Sequence, residues 1–422
     1  MSTGVVVNKK VWIVLWCLAS AAVNAQDLSR PGLTLKEVLQ LVRVNNRDVS
    51  AAKRMHDAAV ADARTAAVTP APVLSVNMQQ IDPGHLGRGS LWARPVDTVI
   101  RVEQTVERGG KAQWRAAVSR VAEEAAALDV REVLREQQVQ ASQAYWDLKA
   151  AEQQWRIAVD NESLAKSSSD LARVRLAQGD LSRLDATRLE VEAQRADNDR
   201  DVALQQVRVA QAALARLIGR RADDLSVADP WPVVTDATPL TRSLPVLAAR
   251  PDLEAAQKRV EQARAALSLA EAQRSADVTV GLQFEHVPPS GERWWGVGLS
   301  VPLGVDSRQD GPVQRAQIDL ANAEADRDRL KEQAQAERAT QWQGMAAAIQ
   351  RVVRIERDLL PQAREAAQSA DYAREQGALS LQDVLDARRT LHAVELDAAG
   401  AHADLARAMA ALGLLKEQES GL

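Results

Sequence analysis

The sequence predicts a mostly α-helical fold with a small β part, built from a duplicated helix–strand–strand–helix unit. The first observation behind this is internal repetition. Asn46–Gln80 aligns without a gap on a segment about 204 positions later, which sets Val49 on Leu253, Ala51 on Ala255, and Leu74, Val76 and Met78 on Val278, Val280 and Leu282. A second pairing, offset by about 198, sets Ala177–Asp185 on Glu375–Asp383 and continues to Leu214 and Leu217 opposite Leu412 and Leu415. The third observation is composition. Residues are 46% hydrophobic and 26% charged but only 3% aromatic, so many small side chains must pack at close range, the habit of long paired helices.

Lys9 and Lys10 precede the apolar run Val11–Ala22, and Val23-Asn24-Ala25 fits a small-x-small cleavage site. That is the pattern of a secretory signal over 1–25, leaving a mature chain from near Gln26. A lipid anchor on Cys17 is disfavoured by the bulky Trp16 before it. With Cys17 removed, no cysteine remains for a disulfide or a thiolate metal site. The net charge is −4, with no basic stripe, which argues against nucleic acid as a partner.

Thr34, with Glu37 in capping-box spacing, opens a helix predicted to run to about Val68, where Pro70 and Pro72 stop it. Leu74, Val76 and Met78 then alternate with Ser75, Asn77 and Gln79, the period-2 pattern of a strand with one apolar face. After a loop over Ile81–Pro95, Thr98, Ile100 and Val102 alternate with Val99, Arg101 and Glu103. Lys111–Gln178 contains no proline and, as a helix, reaches roughly 100 Å. It ends at Gly179 and returns as a second helix. The second half repeats this order. Val278, Val280, Leu282 and Phe284 form one apolar face, and Trp295, Val297, Leu299 and Val301 another. A long helix over Pro312–Gln376, with a kink expected at Pro361, ends at Gly377 and returns.

The last helix carries Leu391, Ala398, Leu405 and Leu412 at heptad spacing, with Val394, Ala401, Ala408 and Leu415 three residues after each. Ala196, Ala203, Ala210 and Leu217 answer in the first half. Such a seam packs helices as in a coiled coil. The predicted boundaries are a first repeat over 26–219, a connector over 220–250, a second repeat over 251–416 and a tail over 417–422.

Four amphipathic strands cannot close a barrel, and open edges are not tolerated in lipid. Two chains would supply eight strands, whose interior side chains fill; three would supply twelve, with an open lumen. The other reading of the same strands is a soluble sandwich edge. The signal and the paired long helices favour a pore, and Trp92, Trp294 and Trp295 near strand ends suit a lipid–water boundary.

Ala249–Leu267, Val297–Ala316 and Arg374–Arg388 resemble segments of the TolC-like outer membrane factors of tripartite efflux systems, and the likeness covers nearly the whole mature chain. The short chain and the second segment are most similar to the heavy-metal (CzcC-type) branch, although Gly304–Gln309 departs from that branch's usual Pro-Leu-Phe-Asp-Arg-Asn-like run. The resemblance implies a homotrimer with a 12-stranded β-barrel in the outer membrane and an α-barrel across the periplasm. It implies a passive, non-enzymatic duct without cofactor, working with a periplasmic adaptor and an inner-membrane resistance-nodulation-division (RND) pump. The implied cargo is heavy-metal cations (cobalt, zinc, cadmium or nickel). A duct for drugs or for type I secretion is the alternative, and a soluble periplasmic adaptor is a further one.

The resemblance also places the adaptor-contacting tips at Gly179, Leu181 and Ser182 and at Gly377, Leu379 and Ser380. It places entrance aspartates at Asp383 and Asp386, whose i, i+3 spacing puts them on one helical face, with Asp185 as the repeat counterpart of Asp383. Repeated three times, these carboxylates would ring the entrance and attract cations. The competing reading is a purely structural one, carboxylates opposing a helix dipole near its N-terminus. His392, Glu395 and His402 share one sector of the last helix and fit solvated face residues better than a metal cage. His85 and His286 fall at or beside the strand-connecting loops.

Overall fold

Two long helical hairpins extend from one end of a four-stranded antiparallel sheet in a computed structural model that describes residues 32–79, 81, 96–222, 225–234, 250–287 and 290–419. The predicted signal, Trp92, His85 and most of the loop between the first two strands lie outside the described residues. The elements run α1 (Leu35–Asn45), α2 (Arg47–Ala66), β1 (Val73–Gln79), β2 (Asp97–Val106), α3 (Lys111–Gln178), α4 (Arg183–Ile218), α5 (Pro251–Ala272), β3 (Val278–Val287), β4 (Glu292–Ser300), α6 (Val305–Arg308), α7 (Asp310–Arg354), a π-turn (Ile355–Leu359), α8 (Leu360–Glu375) and α9 (Leu381–Glu419). The mostly helical fold with a small sheet is thus the one expected. No described helix is long and apolar enough to cross a membrane.

The first predicted helix is in fact two. Thr34 and Glu37 form the capping box of α1, but the backbone turns extended at Asn46 (ψ 133°) and restarts as α2. Asn46 is 3% exposed and fully used. Its Oδ1 accepts from the amides of Asp48 and Val49, and its Nδ2 donates to Gln137 Oε1 and Leu217 O, both at 3.0 Å. A tertiary partner on α3 and another on α4 therefore fix a break that local periodicity does not announce.

The kink expected at Pro361 is a π-turn. Leu360 N–H reaches back to Ile355 O, a five-residue step, which widens the helix just before proline. In a regular helix the Pro361 ring would clash with the carbonyl of Arg357. The wider turn removes that conflict and sets Glu356 Oε1 3.0 Å from His402 Nε2 on α9.

The sheet runs β1-β2-β3-β4, leaving β1 and β4 as free edges. Its register places Leu74, Val102, Leu282 and Val297 in one row and Val76, Ile100, Phe284 and Trp295 in the next. This face is apolar and largely exposed, with Leu74 66%, Val297 82% and Leu299 71% accessible. The opposite face carries Ser75, Arg101 and Gln283 in one row and Asn77, Val99, Glu285 and Trp294 in another. Trp294 and Trp295, being consecutive in a strand, point to opposite faces, so only Trp295 joins the apolar side, where it packs on Phe284 at 5.0 Å.

Arg115 ties the sheet to the helices. It pairs with Glu107 and donates to Ala66 O and Val68 O, the carbonyls left open at the end of α2. Lys111 Nζ meets Asp277 Oδ1 at 2.7 Å across the start of β3.

The main core lies midway along the helices, where Val38 and Val42 of α1, Tyr145 and Leu148 of α3, and Leu214 and Ile218 of α4 are fully buried. The segment 225–234 straps across it. Leu33 and Val227 form a parallel bridge, and Tyr145 Oη donates to Leu33 O at 3.0 Å and contacts Asp229 Oδ2 at 2.9 Å. Burial raises the Tyr145 phenol well above its ordinary range. Trp231 sits between Trp146 (5.7 Å) and His402 (5.6 Å), near-parallel to both. A second cluster joins α7 to α9 through Ile349, Val352, Ala398, Ala401 and Leu405. Leu405 is fully buried, a contribution of roughly 1.5–3 kcal/mol.

Candidate functional site

The free ends of the two hairpins are built alike. α3 stops at Gly179 (φ 82°), where Asp180 N–H donates to Arg175 O at 2.9 Å; α8 leads to Gly377 (φ 72°), where Ala378 N–H donates to Ala373 O at 2.8 Å. Both glycines hold the left-handed conformation that closes a helix, which a Cβ would strain. Each tip then restarts on a serine. Ser182 Oγ accepts from Asp185 N at 3.0 Å and donates to Asp185 Oδ2 at 2.9 Å. Ser380 Oγ accepts from Asp383 N at 3.3 Å and donates to Asp383 Oδ2 at 2.6 Å. Asp185 and Asp383 are thus both engaged in helix caps.

Asp386 differs. Its side chain is 59% exposed and reaches Arg389 Nη1 at 3.3 Å. Its repeat counterpart Arg188 instead approaches Asp185 at 3.8 Å. Leu181 packs against an apolar cluster of Ala172, Ala186 and Leu189 from the first hairpin with Leu381 and Leu385 of α9. Gly179 and Gly377 stand clear of neighbouring atoms, at the extremity. Leu379 and Ser380 complete the second turn between α8 and α9.

Two consecutive arginines, missed by sequence reasoning, join the hairpins just above the tips. Arg389 grips Glu192 of α4 with two bonds, Nη2 to Oε2 at 2.7 Å and Nε to Oε1 at 3.2 Å. That hydrogen bonding from Arg389 holds the Glu192 carboxyl below its usual range. Arg388 turns the other way, to Asp371 of α8 at 2.8 Å and Ser168 Oγ of α3 at 3.3 Å. Between them lies a cavity of about 240 Å³ lined by Leu189, Glu192, Arg195, Leu385 and His392. The signal available in the sequence was the Arg-Arg pair one turn after Asp386, but only the fold shows what each reaches.

His392, Glu395 and His402 do not converge. His392 lines the cavity, Glu395 lies 3.9 Å from Arg364, and His402 pairs with Glu356 under Trp231. Among the described residues no cluster of His, Cys, Asp or Glu could hold a metal. The contacts at the tips are ionic above and apolar below, between two similar but unequal hairpins.

No protein-family model matches the chain. It is 24% identical over 366 residues to the cobalt-zinc-cadmium resistance protein CzcC of Cupriavidus metallidurans, covering 85% of this chain and 84% of that protein, and the two are homologous. Among solved structures it superposes on the outer membrane protein VceC of Vibrio cholerae with a TM-score of 0.74 at 18% identity, covering 90% of this chain and 94% of that one. The CmeC outer membrane channel of Campylobacter jejuni matches with a TM-score of 0.71 at 15% identity (92% and 89% covered). CusC, solved in a study of transmembrane channel formation, matches at 0.67 and 18% (90% and 90% covered). The fold is that of the TolC-like outer membrane channels.

Proposed function

We propose that this chain is the outer-membrane duct of a tripartite efflux system, a homotrimer in which a 12-stranded barrel continues into a helical tunnel. The observation that carries the reading is the sheet. One face carries adjoining apolar rows that are largely exposed, the other is mainly polar, and both edge strands are unpaired. An exposed apolar sheet face with open edges is stable in lipid only when the edges close on further copies. Pairing β4 of one copy with β1 of the next satisfies every edge and puts the apolar rows outward.

The cargo we assign is heavy-metal cations, supported by the homology to a cobalt-zinc-cadmium resistance protein. The partners are an RND pump and an adaptor that meets the tips at Gly179–Ser182 and Gly377–Ser380. Asp383, Asp386 and Asp185 sit at the closable entrance. The latch across it is Arg389–Glu192 with the Leu381/Leu385 cluster, so opening moves the second hairpin off the first. Deleting the gene should sensitise cells to cobalt, zinc or cadmium, and the protein should fractionate with outer membranes. Unchanged tolerance to all three metals would remove the cargo assignment. Recovery wholly in the soluble periplasm would remove the duct.

A further inference from the structure

The polar face of the sheet is uneven in a way the duct alone does not require. On β4 its residues are Glu292, Trp294, Gly296, Gly298 and Ser300, so the largest side chain is followed by two positions that have none. The glycines are covered by their neighbours. A Cβ on Gly296 would stand 2.9 Å from Gln283 Cγ, and one on Gly281 would stand 3.3 Å from Glu103 Cγ. Gln283 and Glu103 therefore lie flat on the sheet. Arg101 holds both down, donating to Gln283 Oε1 at 2.7 Å and to Glu103 Oε1 at 3.4 Å. Long polar side chains folded against the wall leave the space above it open.

Trp294 breaks this pattern. It is opposite Glu285, in a row with Asn77 and Val99, and remains 58% exposed. It lies three residues past Gly291, at the end of the sheet away from the helices. An indole left in water on a polar wall gains nothing from burial, and it has no lipid to face, since Trp295 takes that side.

We propose that Trp294 is a size-determining residue of the outer mouth. Resting on the barrel reading above, three copies form an indole collar over a bore that Arg101, Glu103 and Gln283 keep wide. Small hydrated ions pass it freely, and bulky solutes are retarded there.

The test uses the full chain in intact cells with Cys17 replaced by serine. A reporter cysteine at Ser300, on the same inner face at the helical end of β4, is exposed to small charged and to polymer-linked maleimides from outside. Trp294→Gly should speed labelling by the polymer-linked reagent several-fold and leave the small reagent unchanged. Trp294→Phe should keep the retardation, and Trp295→Gly should not relieve it. Equal polymer labelling with and without Trp294, in chains that still assemble, overturns the collar while leaving the duct intact. Cysteines placed at 294 and 295 separate the two readings: the charged reagent should reach 294 and not lipid-facing 295. Equal labelling of both overturns the barrel and the collar with it.

Discussion

Removing Arg389 should open the entrance. The side chain is 49% exposed and Glu192 21% exposed, so the bidentate pair is neither a free surface contact nor a dry one. A charge-assisted, two-bond pair of this exposure is worth about 1 kcal/mol after solvent screening. Three latches in the proposed trimer give about 3 kcal/mol, which shifts an open-to-closed ratio by about two orders of magnitude. Planar-bilayer recording of the purified protein reads that ratio directly. Arg389→Ala and Glu192→Gln should each raise open probability, and the double variant should add little to either, because both remove one interaction. Exchanging the charges, Arg389→Glu with Glu192→Arg, should restore part of the closed state. An Arg389→Ala channel that stays as closed as wild type, or a double variant with fully additive effects, would refute the latch.

Four further outcomes are expected. Because Glu192 is held below the ordinary carboxylate range, its contribution is present above about pH 4.5 and is lost only as pH falls through the lower folded value, so closure should persist at about pH 5 in the same recordings. Leu385→Ala, which empties part of the tip cluster, should loosen closure by roughly 2 kcal/mol without altering assembly, as judged by conductance and by trimer migration on native gels. Asn46→Ala removes both capping hydrogen bonds at the start of α2 and leaves Leu217 O and Gln137 with lost partners, so thermal unfolding should show a loss of roughly 2–4 kcal/mol. Gly377→Ala places a Cβ at φ 72° and should cost about 1 kcal/mol in the same measurement, with Gly344→Ala, in a helix, as the stabilising contrast.

Much of the architecture is legible before any coordinates. The duplication, the alternating strands and the heptads at Leu391, Ala398 and Leu405 are repeating patterns, and repetition determines which face of an element is apolar. Gly179 and Gly377 mark the tips because only glycine holds a left-handed helix end at no steric cost. The serine–aspartate restart of each tip is also local, three residues apart, although sequence alone left open whether Asp185 and Asp383 cap a helix or stand free. What only tertiary structure decided depends on groups far apart in the chain. Asn46 breaks a helix because Gln137 and Leu217 wait for it. Arg389 leaves its own hairpin for Glu192, 197 residues away, while adjacent Arg388 divides its bonds between Asp371 of its own hairpin and Ser168 of α3. Strand register lays Gln283 over Gly296 and sets Trp294 in one row with Glu285, Val99 and Asn77, pairings that alternation within a single strand does not give. Periodicity settles which face an element buries; which partner it finds there is settled by the packing of distant segments.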